Sequence, residues 1–89
     1  MSGESTFHYR NNANVGCTLA FKANDGLYVH VDGQLAYHYT DEFIRTALRN
    51  VRDGAECLVG RFGAFGAGAE GTTRDALLDF IEKWSAEHH

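Results

Sequence analysis

Few residues in this chain have the types and spacing to do chemistry, and the densest group is glycine. Gly66-Ala67-Gly68-Ala69-Glu70-Gly71 spells G-x-G-x-x-G after an apolar run and before a helix-like stretch. Such spacing lets backbone amides at a helix start close around a phosphate. A dinucleotide fold also needs a second strand bearing an acidic residue about twenty positions on. Only eighteen residues follow Gly71, and one helix and its tail use them. The dinucleotide reading fails on length, and no G-K-[ST] marks a P-loop. What remains is a weaker anion site at Gly66, Gly68, Gly71, Thr72, Thr73 and Arg74, set against a purely structural turn. Glu70 places a negative charge in the same loop.

The other candidates are sparser. His30 and His38 fall on one face of the hairpin proposed below, but strand rise separates them by about 13 Å, too far to share a metal ion. Cys17 and Cys57 form no C-x-x-C motif. Both are expected in buried strands, where a thiol is an inert apolar group. The three serines lie at the two ends of the chain, with no G-x-S-x-G. The expectation is therefore no catalytic residues, no metal and no cofactor. Arg45, Arg49 and Arg52 form a basic stripe suited to an acidic protein surface. Asp41 and Asp53 stand four residues from Arg45 and Arg49, a spacing that pairs and quenches such a stripe.

Charge and length set the outer bounds. A net charge of −4 argues against a partner of duplex DNA, which demands cations. Eighty-nine residues allow one small domain, 1–89, with loose ends expected at 1–5 and 86–89. The N-terminus carries no basic and apolar leader pattern, and no run is long enough for a membrane span. The reading is a cytoplasmic protein with reduced thiols and no membrane partner. His88 and His89 are either native or the remnant of a purification tag, and no functional role is assigned to them.

The elements that must position these residues follow from periodicity. Residues 17–23 alternate apolar and polar, as a half-buried strand does. Asn24-Asp25-Gly26 and Asp32-Gly33 separate this run from LYVHV and QLAYHY, a hairpin signal. Three-residue loops sort the faces, pairing Phe21 with Val29, His30 with Gln34, and Leu27 with Tyr37. An earlier strand, Thr6 to Arg10, joins this meander. Thr40 reads as an N-cap for a helix carrying Phe43, Ile44, Ala47, Leu48 and Val51, stopped by Gly54. ECLVGRF reads as a fifth strand. One or both of Phe62 and Phe65 are expected to anchor the glycine loop, and either one left exposed would make it an apolar contact site. Thr72 or Thr73 caps a last helix that buries Leu77, Phe80, Ile81 and Trp84.

The predicted order is β-β-β-β-α-β-α: an α+β two-layer sandwich, antiparallel sheet below and two helices on one face. That leaves an open sheet face with Lys22, Tyr28, His30, Gln34 and His38. Tyrosine on a flat sheet face suits a protein interface, including one between two copies. The functional expectation is a non-catalytic protein-binding or regulatory module of adaptor or inhibitor type, homodimeric through that face. The alternative is a binder of a phosphate-bearing small molecule at the glycine loop.

Overall fold

The computed structural model describes residues 4–87. Four strands, β1 (Glu4–Arg10), β2 (Gly16–Lys22), β3 (Gly26–Val31) and β4 (Gln34–Thr40), form one antiparallel sheet in the order β1-β2-β3-β4. Three helices follow: α1 (Asp41–Ala47), α2 (Val51–Phe62) and α3 (Gly71–Glu87), with a 3-10 turn at Gly63–Phe65 behind α2. The α+β class, the antiparallel meander and the Thr40 cap, whose Oγ1 accepts from the Phe43 amide at 3.2 Å, are as the sequence predicts. Glu4 and Ser5 pair with Lys22 and Phe21, and residues 86 and 87 close α3, so neither pair is a loose end. The rest of those expected ends lies outside the described residues.

The fifth strand does not exist; ECLVGRF is the second half of α2. Ala55, Leu58, Val59 and Phe62 are buried while Glu56, Cys57, Gly60 and Arg61 are exposed, which is helical rather than alternate spacing. Asn50 begins this helix, its side chain accepting from the Asp53 amide at 3.3 Å. Gly54 is therefore no stop signal. It lies buried inside α2, where a Cβ would strike the Ala47 carbonyl, and its lack of a side chain lets α1 and α2 cross closely.

Register in the two hairpins also departs from expectation, by two residues in the first and, in the second, by one beside the turn and two beyond a bulge. The first loop closes at Lys22–Gly26, so that Phe21 faces Leu27 and Leu19 faces Val29. Asn24 takes the left-handed turn position with φ 63, a conformation asparagine tolerates. The second is a two-residue turn with both Asp32 (φ 54) and Gly33 (φ 79) left-handed, placing Val31 opposite Gln34. A bulge then intervenes: His30 faces Leu35 but Val29 faces Tyr37, leaving Ala36 as the extra residue. The bulge restores Tyr37 and Tyr39 to the apolar side beside Val29 and Leu27.

The core lies between that side of the sheet and the helices. Leu19, Phe21, Leu27, Val29 and Tyr39 meet Ile44, Leu58, Phe62, Leu77 and Ile81, all buried. Phe80 stacks on Phe7 at 5.1 Å and Trp84 on Phe21 at 4.2 Å, seating α3 over β1 and β2. Among the described residues no helix is long and apolar enough to cross a membrane.

Candidate functional site

The glycine segment is held from outside. The Gly66, Ala67 and Gly68 carbonyls each accept a hydrogen bond: from Asn11 Nδ2 at 2.6 Å, the Tyr9 hydroxyl at 2.6 Å and the Asn12 amide at 2.9 Å. Asn11 can make this reach because its own Oδ1 accepts the Ala13 and Val15 amides, folding the β1–β2 loop around it. The Gly66 and Ala67 amides are also spent, donating to the Gly63 and Phe62 carbonyls. Those two bonds, with Gly66 left-handed at φ 75, are a Schellman stop. An anion at this loop is left with the amides beyond Ala67. The helix opens at Gly71, itself at φ 62, so both predicted caps, Thr72 and Thr73, fall inside it.

Burial raises the Tyr9 phenol well above its ordinary range, with the neighbouring Cys17 adding to it. The Cys17 thiol, opposite Tyr9 in the sheet, is likewise pushed up by burial. Both groups hold their protons at neutral pH and act as structure. Cys57 is exposed on α2, against the expectation of a buried strand thiol. No group of three or more metal-ligating side chains comes together among the described residues.

On the open sheet face the structure brings together Lys22, Tyr28, His30 and His38, but not Gln34, which pairs with Val31 ahead of the bulge. His38 stands opposite Tyr28, and the two rings stack at 4.2 Å. Asp25 ties them down, accepting from the Tyr28 hydroxyl at 2.8 Å and, through its carbonyl, from His38 Nε2 at 3.0 Å. The Lys22 ammonium sits 4.7 Å from the Tyr28 ring centre. The bond to the Asp25 carboxylate holds the Tyr28 proton and lifts its pKa. Tyr28 and His38 are thus satisfied within the face, whereas His30 Nδ1 is buried without a hydrogen-bond partner among the described residues.

The arginine stripe is divided by the turn between α1 and α2. Arg45 pairs with Asp41 at 2.7 Å, and Arg52 with Glu82 of α3 at 3.1 Å. Arg49 has no side-chain partner among the described residues, because Asp53 turns to Asn50 instead.

Sequence reasoning missed the β4 edge. Leu35 (54% exposed), Tyr37 (40%) and Phe43 (39%) are the large apolar side chains most open to solvent among the described residues. All three lie on β4 or the first turn of α1. Phe65 stacks on Tyr37 at 4.4 Å, Phe43 on Tyr39 at 5.4 Å, and the Arg61 guanidinium lies 5.3 Å from the Phe43 ring centre. Tyr39 is buried beneath them, its phenol raised by that burial and partly lowered again by Arg61. The available signal was the lack of any Lys, Arg, Asp or Glu in QLAYHYT, unusual for a strand left at a sheet edge. No protein family, curated protein or solved structure matches this chain.

Proposed function

We propose that this protein is a non-catalytic protein-binding module, and that its β4 edge receives the same edge of a second copy. The observation that carries this reading is the gathering of Leu35 and Tyr37 of β4 with Phe43 of α1 along the sheet edge that β4 leaves open. An edge strand offers a row of unpaired amides and carbonyls, and natural proteins usually protect such rows with charge. β1, the opposite edge, has Glu4 and Arg10; β4 has no residue of that kind. Two chains each carrying −4 repel at long range, so a self-contact favours a strand without charged side chains. Laid antiparallel on its own copy, β4 sets no acidic or basic residue against a like charge. A two-fold contact uses the same patch on both copies, as Tyr37 and Phe43 would supply. The contact extends onto the open sheet face through Leu35 and its neighbour His30.

Sedimentation velocity over a wide concentration range tests the reading. The wild-type mass is expected to rise to that of two chains, and Leu35→Asp and Tyr37→Asp to return it to one while still melting cooperatively. His30→Ala is expected to weaken association less than either. A single-chain mass at every wild-type concentration would overturn the self-contact.

A further inference from the structure

A cleft of about 360 Å³ runs along the face of α1 that carries Asp41, Ile44 and Arg45, on to its C-cap Leu48. Ala23 and Asn24 of the first hairpin turn form one wall, and Ile44, Leu48 and Trp84 form the floor. All three floor residues are buried members of the core, so the base is apolar and backed by packed side chains. Asp41, Arg45 and Arg49 stand at the rim.

Charge at that rim is unevenly committed. The Arg45 guanidinium is fixed between Asp41, at 2.7 Å, and Asn24 Oδ1, at 3.4 Å. Arg49 is exposed and its fork of donors is unused among the described residues. Two guanidiniums and one carboxylate leave a single net positive charge above an apolar floor. Small-ligand sites of this size combine an apolar lining with a few polar groups that fix orientation. A guanidinium recognises a carboxylate or phosphate in its plane through two parallel bonds.

The geometry points to this cleft as a binding site for a small amphipathic monocarboxylate, its flat apolar body on the Trp84–Leu48 floor and its carboxylate on Arg49. A monoanion matches the single net charge, whereas a phosphate dianion would be held against Asp41. This site shares no residue with the β4 edge, so each stands or falls alone.

Trp84 is the chain's one tryptophan, and it reports the cleft directly. Its fluorescence would be titrated with 3-phenylpropionate, with 3-phenylpropanol as the uncharged body and benzyl phosphate as the dianion. The acid is expected to give a saturable change, about tenfold weaker for the alcohol and for Arg49→Ala, the loss of one charge-assisted bond. Arg49 is exposed, so that variant keeps the fold, and Arg49→Lys is expected to recover part of the affinity. No saturable change with the acid would overturn the proposal. So would equal binding of acid and alcohol, tighter binding of benzyl phosphate, or an Arg49→Ala protein that binds as the wild type does.

Discussion

Tyr9 shows how much one hydroxyl organises. Its ring packs against Phe7 and the core, and its O–H crosses 58 positions of sequence to the Ala67 carbonyl. Tyr9→Phe leaves that carbonyl without its donor and is expected to cost about 1–2 kcal/mol. Urea unfolding measures this, and an unchanged midpoint would contradict the clamp. The pH dependence follows from Tyr9 and its cross-strand neighbour. Cys17 is raised from an ordinary 9.0 and Tyr9 from 10.0, so each proton is bound more tightly in the folded state than in the unfolded one. Their contribution is complete below those ordinary values and is lost as pH rises through them. Stability is therefore expected to hold up to about pH 9 and to fall above it. Cys17→Val is expected to delay the fall, and identical alkaline profiles for the two proteins would contradict the assignment. None of this was legible in the sequence. Cys17 reads correctly as a buried apolar position, but a bond between residues 9 and 67 leaves no local pattern.

At the scale of elements, legibility depended on whether periodicity alone decides. The meander was readable because alternation survives a shift of two residues: Phe21, Leu27 and Val29 face the core in the predicted and the observed register alike. The bulge was not readable. A two-residue turn in an unbroken ladder mixes the faces of β3 and β4, and one extra residue, Ala36, resolves that conflict inside the strand rather than in the loop. Deleting Ala36 leaves His30 opposite Leu35 and Val29 opposite Tyr37, so the hairpin is expected to survive with a melting temperature near that of the wild type. Loss of cooperative melting would contradict this register. The second half of α2 is ambiguous in sequence because a short segment with an apolar centre, Cys57-Leu58-Val59, fits a buried strand as well as half a helix, and Gly54 has the form of a terminator. Its actual role is contact: Gly54→Ala drives a methyl into the Ala47 carbonyl and is expected to destabilise by about 1–3 kcal/mol. A neutral or stabilising effect, as at an open helix position, would contradict the close crossing of α1 and α2.

At the scale of the molecule, the helices cover one side of the sheet and leave the other side and both edges open. A net charge of −4 is poorly suited to duplex DNA, which demands cations. Which surface would serve a partner instead was not legible, because Tyr37 and Tyr39 alternate alike in sequence yet one is exposed and the other buried. Only the placement of the 3-10 turn behind α2 and the first turn of α1 decides that Phe65 and Phe43 extend β4 into a patch. The basic stripe dissolved for a related reason: its three arginines sit on two helices and the turn between them, two of them already paired. The central claim concerns the β4 edge, and amide hydrogen exchange followed residue by residue at low and high protein concentration tests it most directly. The account predicts that outward-facing amides of Gln34–Thr40 exchange more slowly in the concentrated sample while those of the β1 edge stay unchanged. Exchange at β4 that ignores concentration, or protection that appears at β1 instead, would contradict it.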